Sequence, residues 1–388
     1  MQSGHIRRLS LQKRYPLRGN RPCRFFSQIQ HSKETDMNTW KIAVGLFLFS
    51  SLTVFGKTVV KPVEHEKVPF RVHVFEDYET DIEKRWWLRG EPIRKSLPLG
   101  LSESLPNKRA CRSTETKDFD RKMGDRSKTY QAVIFNPVPG PPMAGNTHLS
   151  FRCQLKRTDV LRCQIYSLSK GYHRHLVLRD LPRDKWQALT VDMTAARRPD
   201  GSGGPLEKDE RIDDIQFYVE EGAEVSVDDV VLFEPAGIGE KEAFPRRFIF
   251  TGWFDTGKQG KGHEWPGDFD IVLHEKPLAW DAAKAVQDVA TGNPWLRVNL
   301  RGVRPLSERN RLRFRCNTSA KEIQVSLHDT VSNKAWEDVV KVSKQGIWQN
   351  AAVDFQVKKG SRATDIIFRI PTGENLQVDD LLLYEPDE

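Results

Sequence analysis

The stretch Val225-Ser-Val-Asp-Asp-Val-Val-Leu-Phe-Glu-Pro235 decides the fold, because it returns near the end of the chain as Leu376-Gln-Val-Asp-Asp-Leu-Leu-Leu-Tyr-Glu-Pro386. A second block lies upstream of each copy, Asp214-Ile-Gln-Phe217 in the first and Asp365-Ile-Ile-Phe368 in the second. In both copies the leading aspartate of this block precedes the first aspartate of Val-Asp-Asp by 14 residues. Two matches in one order and at one spacing indicate an internal repeat.

Two further blocks extend the repeat toward the N-terminus. Leu149-Ser-Phe-Arg-Cys153 matches Leu312-Arg-Phe-Arg-Cys316, and residues 186–192 match residues 348–354 in their Trp-Gln and Val-Asp pairs. All four blocks keep the same order at an offset of 151–163 residues. The second half of the chain is therefore a diverged copy of the first.

Each block has the residue pattern of a β-strand. Apolar side chains alternate with polar ones through residues 149–153 and again through residues 215–219. This period of two places one side of a strand inward and the other in solvent. The gaps between blocks are rich in glycine and proline, as in residues 137–142 and 199–205. The sequence predicts an all-β protein with two tandem antiparallel β-sandwich, or jelly-roll, domains after an N-terminal signal segment.

The domain boundaries follow from the repeat and its turn-rich gaps. We expect an over-called extension over residues 1–36, a signal peptide over 37–56, domain one over 68–235, a linker over 236–243 and domain two over 244–386. Within domain two, residues 281–290 carry alanines and valines at helical spacing. That spacing predicts one short helix in a loop.

The net charge of +8 is concentrated at the N-terminus. Residues 1–56 hold nine basic and two acidic residues, a net charge of +7 that leaves +1 for the rest of the chain. The folded part is therefore near neutral and lacks the large positive surface that a phosphate backbone requires. The sequence predicts no nucleic-acid partner, and it favours solvated charges for local clusters such as Arg246-Arg247.

An apolar run of 14 residues, from Ile42 to Phe55, follows Lys41. As a helix at ~1.5 Å per residue it falls short of the ~30 Å hydrocarbon core of a membrane, which is typical of a secretory signal. Translation from Met37 and cleavage after Gly56 would give a secreted, periplasmic or cell-envelope protein with no further membrane segment. An uncleaved signal anchor is the alternative.

The five cysteines leave one pairing open. Cys23 lies in the leader, whereas Cys153 and Cys163 lie on neighbouring predicted strands, where an oxidising compartment would allow a disulfide. Both also take apolar-face positions, so reduced core cysteines are the alternative. The sequence has no CxxC pair and no metal-ligand spacing, and it does not indicate an oligomeric state.

Each copy resembles the galactose-binding-like jelly roll used by many carbohydrate-binding modules. The resemblance is carried by the opening strand Phe75-Glu-Asp-Tyr-Glu79, by the Trp186 and Trp348 strands that end in Val-Asp, and by the closing Val-Asp-Asp strands. It covers residues 68–235 and 244–386, and its motifs belong to the scaffold more than to a ligand site.

In that family the first and last strands often hold a structural calcium ion, and the resemblance implies one here. Calcium is a hard cation that takes several oxygen ligands, which adjacent acidic strands can supply. The implied ligands are Glu76 or Glu79 with Asp229 in domain one, and Asp255 with Asp380 in domain two. Domain two departs from the acidic opening pattern, since it reads Phe250-Thr-Gly-Trp-Phe-Asp255.

The resemblance also implies a sugar ligand held by exposed aromatic rings, since sugar faces rich in C–H groups suit π surfaces. Neighbouring residues of a strand point to opposite sides, so one ring of the Trp86-Trp87 pair should face out. A glycine-rich loop in domain two adds further candidates. The predicted ligand-binding residues are Trp86, Trp87, Trp253, His263, Glu264 and Trp265. The alternative for each tryptophan is a core edge, and we expect Trp186 and Trp348 in the core because they recur in both copies.

The same loop also carries candidate catalytic residues. A glycosidase needs two carboxylates ~5–9.5 Å apart, and Glu264, Asp268 or Asp270 would supply one without an identified partner. His263 would be the base of a lyase. The sequence therefore predicts an exported, non-catalytic protein that binds glycan or another extracellular polymer. The alternatives are a structural or adhesion protein of the cell envelope and a carbohydrate-active enzyme centred on His263-Glu264.

Overall fold

The computed structural model describes residues 68–79, 87–94, 109–117, 128–137, 140–143, 145–198, 200–237, 247–255, 265–273 and 281–386. The signal segment, Trp86, His263 and Glu264 lie outside these stretches, so the predictions for them are untested. Strands dominate the described residues, with one 3₁₀ turn at Met193–Ala195 among them. Within these stretches no helix has the length and apolar composition needed to span a bilayer.

Domain one is a sandwich of two antiparallel sheets. Its strands are β1 (Pro69–Glu76), β2 (Trp87–Arg89), β3 (Glu91–Arg94), β4 (Arg109–Arg112), β5 (Thr114–Lys117), β6 (Thr129–Asn136), β7 (His148–Lys156), β8 (Leu161–Ser167), β9 (Tyr172–Leu178), β10 (Trp186–Asp192), β11 (Ile212–Glu220) and β12 (Glu224–Gly237). The first sheet has the order β10-β7-β12-β4-β3, with β1 also paired to β12. The second has the order β2-β6-β11-β8-β9, with β5 paired to β6.

Domain two repeats this arrangement. Its strands are β13 (Arg247–Gly252), β14 (Gly267–Asp268), β15 (Asp270–Leu273), β16 (Asp281–Lys284), β17 (Val286–Gln287), β18 (Pro294–Pro305), β19 (Arg309–Thr318), β20 (Glu322–Asp329), β21 (Lys334–Lys341), β22 (Gln349–Gln356), β23 (Arg362–Arg369) and β24 (Leu376–Glu385). The sheet orders are β15-β16-β24-β19-β22, with β13 on β24, and β14-β18-β23-β20-β21, with β17 on β18. The prediction of two tandem antiparallel sandwiches is confirmed.

The alternating pattern fills the space between the paired sheets. In domain one the rings of Phe151 and Phe217 meet across the sandwich with centroids 4.8 Å apart, and in domain two Phe314 and Phe368 meet at 5.0 Å. All four are buried and come from the matched blocks of the repeat. Removing one such side chain from water contributes about 1.5–3 kcal/mol, so these positions anchor both cores.

The two Val-Asp-Asp segments take equivalent positions in their sandwiches. Asp229 has a φ of 47° and Asp380 a φ of 48°, an unusual backbone region for a residue other than glycine. At each of them the register of the last strand shifts against its neighbour, between Asp228 and Val231 in β12. The corresponding shift in domain two appears opposite residues 313–315 of β19. A shared β-bulge of this kind marks the two strands as copies of one element.

The predicted helix over residues 281–290 is wrong. Strand β16 instead pairs with β24, and β17 pairs with the start of β18. The amide of Ala285, between these two strands, donates to the carbonyl of Leu376. Pairing with the last strand of the sheet therefore overrides the helix preference of the alanines, because tertiary contacts outweigh local propensity.

Four cysteines lie in the described part of the chain, and all are buried free thiols: Cys111, Cys153, Cys163 and Cys316. Cys153 and Cys163 belong to the same core, on β7 and β8. Burial raises the pKa of the Cys153 thiol to about 12. These are the surroundings of the reduced core cysteines that the sequence left open as one alternative.

The two sandwiches share one apolar cluster, and both belong to the compact unit Gly56–Glu388. The shared cluster consists of Val68, Val72, Phe75, Val231 and Phe233 from domain one with Phe248, Leu382 and Tyr384 from domain two. The rings of Phe75 and Phe248 lie 5.7 Å apart across this contact. The first strands, β1 and β13, therefore pack against one another as well as against their own last strands.

Candidate functional site

Trp253 and Trp265, predicted to be surface rings for a ligand, are instead buried, with 2% and 4% of each residue exposed. Their rings meet edge to face at 4.8 Å, and Trp253 Nε1 donates to the carbonyl of His73 at 2.8 Å. This placement corrects the prediction. The physical reason is the contact between the sandwiches, where β1 lies against β13 and two large rings fill the space beside them.

The other predicted rings divide into three cases. Trp87 lies on β2, with its backbone paired to Asn136, whereas its neighbour Trp86 falls outside the described residues. Trp186 and Trp348 are half-buried at strand starts, and the guanidinium of Arg315 lies 5.6 Å from the Trp348 ring centroid. We expected these two tryptophans in the core, but their partial burial places them at its edge.

The described surface best built for a ligand is the outward side of the β2-β6-β11-β8-β9 sheet of domain one. Cys163 and Ile165 of β8 face the core, as do Ile215 and Phe217 of β11. Side chains alternate along a strand, so the residues between them face away from the core. We call this outward side the amide face; its members are Tyr130, Arg162, Gln164, Tyr166, His173, Asp214, Gln216 and Tyr218.

A chain of polar contacts crosses the centre of the amide face. Gln164 Nε2 donates to Gln216 Oε1, and Gln216 Nε2 donates to Asp214 Oδ2 at 3.0 Å. His173 Nε2 lies 3.2 Å from Gln216 Nε2. Although they face away from the core, Gln164 and Gln216 are only 1% and 3% exposed. The amides are therefore buried and held in fixed orientations by their hydrogen bonds.

Within this row of polar contacts, one buried atom has no hydrogen-bond partner. Gln164 Oε1 is buried and has no hydrogen-bond donor within the described residues. A buried acceptor left without a donor costs about 1–3 kcal/mol. A ligand hydroxyl that donates to this oxygen would recover that cost, so Gln164 points to a site for a group rich in hydroxyls.

The carboxyl group of Asp214 is tuned by its surroundings. Burial raises its pKa to about 6, the charge of Asp213 raises it further, and hydrogen bonds from Gln216 and Asn136 oppose the shift. Near neutral pH the group therefore changes between a carboxyl that donates and a carboxylate that only accepts.

Aromatic rings flank the polar chain. Tyr130 and Tyr218 meet edge to face at 6.1 Å, with the guanidinium of Arg162 at 5.4 Å from the Tyr130 ring centroid. On the other side the half-buried ring of Tyr166 meets His173 at 4.9 Å. Tyr130 and Tyr218 are buried, whereas Tyr166 leaves part of its ring available as apolar surface beside the amides.

The corresponding face of domain two has different chemistry. The strand registers place Asp365 and Asn299 where domain one has Asp214 and Asn136, but Ile367 replaces Gln216. Arg297 bridges this face with ion pairs, at 2.6 Å to Asp268 and 2.9 Å to Asp365. Because charge pairs occupy its polar groups, the candidate site is the amide face of domain one.

The predicted calcium ligands of domain two do converge, but around a side chain. Asp380 Oδ1 accepts from Arg71 Nε at 2.7 Å, and Asp255 Oδ2 accepts from Arg71 Nη1 at 2.9 Å. A guanidinium group thus lies where both carboxylates point. Calcium needs about six to eight oxygen ligands and would be repelled by this charge.

The predicted ligands of domain one are also engaged elsewhere. Glu76 accepts from the amide of Tyr78 at 2.7 Å, Glu79 accepts from the amide of Arg109 at 2.7 Å, and Asp229 lies 3.4 Å from Arg152. No cluster of three or more His, Cys, Asp or Glu side chains suited to a metal occurs among the described residues. These contacts do not fit the calcium ion that the family resemblance implies.

No family model matches this chain, and no curated protein does. The solved structures similar to it include the tandem pair of family 22 carbohydrate-binding modules from Paenibacillus barcinonensis Xyn10C, at 11% identity over 83% of this chain and 100% of that one, with a TM-score of 0.26. Another is the family 11 module from Clostridium thermocellum in complex with a β-1,3-1,4-mixed-linked tetrasaccharide, at 18% identity over 45% and 100%, with a TM-score of 0.30. TM-scores this low carry no argument about function.

The sequence did not single out the amide face. Gln216 lies inside one of the repeated blocks, which suggested a scaffold role for all of its residues. The usable signal was the difference between the copies, since Ile367 stands where the first copy has a glutamine. A polar residue at an outward strand position that the other copy fills with isoleucine indicates a property of one domain alone.

Proposed function

We propose that this protein binds carbohydrate on the amide face of domain one. The observation that carries the proposal is the buried pair Gln164 and Gln216, with Gln164 Oε1 left without a donor. A sugar presents neighbouring hydroxyls that both donate and accept, which an amide beside a carboxyl can match. The half-buried ring of Tyr166 supplies apolar surface on which a sugar ring packs.

The proposal includes export and a non-catalytic role. Export follows from the apolar segment that begins at Ile42, and a glycan outside the cell is the corresponding ligand. A binding role is favoured over hydrolysis because one predicted catalytic acid, Asp268, is held in an ion pair by Arg297 at 2.6 Å. The alternative is an envelope structural protein, whose amide face would bind no sugar.

The test compares two glutamines of domain one. Gln164→Ala removes the open acceptor of the amide face, whereas Gln187→Ala, on β10 of the other sheet, removes an exposed side chain bonded to the carbonyl of Pro182. A glycan array on the wild-type protein first identifies a ligand, and calorimetry then measures its affinity. We expect Gln164→Ala to weaken binding about tenfold, which is the loss of roughly 1.4 kcal/mol, and Gln187→Ala to leave it unchanged.

Equal losses in the two variants would place the ligand elsewhere. A wild-type protein that binds no glycan on the array would favour the structural alternative. Release of reducing ends or of unsaturated sugars from a polysaccharide would favour the enzyme instead.

A further inference from the structure

Arg71 belongs to β1 of domain one, but its guanidinium lies among three carboxylates of domain two. It bonds to Asp380 at 2.7 Å and to Asp255 at 2.9 Å, and it lies 3.9 Å from Asp379. Only 1% of the Arg71 side chain is exposed. A buried cation held in two directions by acids of another domain is a structural ion pair rather than a solvated charge.

The reverse contact starts from the equivalent position of the repeat. Arg71 pairs with Glu234 in the β1–β12 register, and Arg247 pairs with Glu385 in the β13–β24 register. Arg247 of domain two reaches Asp77 of domain one at 2.5 Å, with 11% of its side chain exposed. The prediction that Arg247 is a solvated charge is therefore wrong, because the contact between the sandwiches covers it.

The acids near these arginines correspond only in part. Asp255 and Asp380 match Glu79 and Asp229 of domain one, whereas Asp77, the acid that Arg247 bonds, matches Trp253. Asp255 accepts from the amide of Asp281 at 2.8 Å, as Glu79 accepts from the amide of Arg109. The charges of Asp77, Asp229 and Glu79 all favour the cationic form of Arg247 and raise its pKa, against the effect of burial. Each sandwich thus offers acids from its first and last strands, and the other sandwich supplies the cation.

We propose that two arginines exchanged between the domains, Arg71 and Arg247, take the place that a structural cation would hold in each sandwich, and so make the pair a single folding unit that needs no calcium. This inference disagrees with the calcium ion that the family resemblance implies. It does not depend on carbohydrate binding, because the amide face lies on the second sheet of domain one.

The charge balance around Arg71 supports this assignment. Asp255, Asp379 and Asp380 face two guanidinium groups, those of Arg71 and of Arg315, which lies 3.5 Å from Asp380. Each of these carboxylates therefore lies close to a guanidinium group, and two positive charges face the three acids in a buried position.

Other contacts hold β1 against domain two without using charge. Arg313 Nη2 donates to the carbonyl of Pro69 at 2.7 Å, and the Thr251 hydroxyl donates to the carbonyl of Val72. Removing the Arg71 side chain would therefore leave the backbone frame in place. Three carboxylates would then lose the cation that they share, so the variant tests whether an added calcium ion can replace its charge.

The experiment measures thermal unfolding and bound metal for the full chain. The wild-type melting temperature should be the same in excess EDTA and in millimolar calcium, with no calcium retained after gel filtration. Arg71→Ala should lower the melting temperature by about 8 °C in EDTA, because it leaves buried acids unpaired. Millimolar calcium should recover part of that loss, with one calcium bound per chain.

The matched control is Arg311→Ala, which removes an arginine that is also held by an aspartate, Asp354, but at the surface. It should change the melting temperature by less than about 2 °C and gain no response to calcium. Arg71→Lys keeps the charge but cannot bond two carboxylates as a fork, so it should fall between the two variants.

Four results would overturn the proposal. A wild-type protein that retains calcium, or that melts earlier in EDTA, would show that a metal fills the role assigned to the guanidinium. An Arg71→Ala variant that is destabilised but indifferent to calcium, or one as stable as Arg311→Ala, would contradict it equally. If Arg71→Ala does not fold, the wild-type chelation result and the Arg71→Lys melting temperature still decide.

Discussion

At the scale of a single residue, Asp214 affects both the stability of the folded chain and the proposed binding of sugar at the amide face. Its pKa is raised to about 6, chiefly by burial, so the carboxylate form is disfavoured in the folded chain. A group whose pKa is raised by folding contributes stability below its unfolded pKa, and that contribution is lost as pH rises through the folded value. Between about pH 4 and pH 6, Asp214 therefore makes the protein less stable as pH increases.

Asp214→Asn tests this account through stability and affinity together. At pH 7 the variant should be more stable than the wild type by about 1–2 kcal/mol, allowing for partial solvent access, because it cannot ionise. The difference should vanish near pH 4. Asp213 and His173 stay in place beside it and provide the same background in both proteins.

Glycan affinity should move the opposite way. The carboxylate accepts strongly from a sugar hydroxyl, so Asp214→Asn should bind several-fold more weakly at pH 7 and lose the pH dependence between about pH 5 and 7. Denaturant melts and calorimetry at the two pH values measure both effects. A variant that is less stable than the wild type at pH 7, with unchanged affinity, would contradict the role given to this residue.

Some residue positions could be predicted from the sequence and others could not. The family resemblance grouped Asp255 with Asp380 as calcium ligands, and the structure places both carboxylates against Arg71. The guanidinium group between them was not predicted. Arg71 comes from the other sandwich, and no local sequence pattern shows a contact between domains. One signal did exist: Pro-x-Arg recurs at Pro69–Arg71 and at Pro245–Arg247.

At the scale of the elements, the strands that recur in both copies were predicted, and the connections were not. The β10, β11 and β12 segments recur as β22, β23 and β24 because their alternating patterns survive divergence. The short strands β16 and β17 looked helical, since alanine and valine spacing over ten residues fits either structure. Their strand form comes from pairing with β24 and β18, which is information outside the segment itself.

The connection between β2 and β3 depends on one glycine. Gly90 joins a strand of the second sheet to a strand of the first, with a φ of 143°. A Cβ atom added there would lie 2.4 Å from Cys111 Sγ and 3.2 Å from the carbonyl of Arg112. Only glycine permits this crossing between the two sheets without displacing β4.

Gly90→Ala should therefore destabilise the protein by about 2–4 kcal/mol. Gly171→Ala is the matched control, because Gly171 also has a positive φ, of 70°, but has open space around the added methyl group. It should cost only about 1 kcal/mol, the penalty of the backbone conformation alone. Urea denaturation of both variants measures the difference, and equal costs would mean that the crossing at Gly90 tolerates a side chain.

At the scale of the whole molecule, the two sandwiches should unfold together. They share an apolar cluster, and two arginines carry charge across the contact in both directions. We expect one calorimetric transition for the wild type and two separated transitions for the double variant Arg71→Ala/Arg247→Ala, because the coupling between the domains is weakened.

The matched control removes the arginines that contact the aspartates of the last strands from within each domain. Arg152 lies 3.4 Å from Asp229, and Arg315 lies 3.5 Å from Asp380. The double variant Arg152→Ala/Arg315→Ala should melt at a lower temperature but still in one transition. Splitting in this control, or a single unshifted transition in the first variant, would contradict the idea that the exchanged arginines couple the domains.

The most direct test of the central claim is hydrogen–deuterium exchange with and without a saturating glycan from the array, because the repeat supplies its own control. We predict slower exchange in Thr129–Asn136, Leu161–Ser167 and Ile212–Glu220, the strands of the amide face. The equivalent strands of domain two, Pro294–Pro305, Glu322–Asp329 and Arg362–Arg369, should be unaffected. Protection confined to domain two, or equal in both sets, would contradict the assignment of the ligand to the amide face.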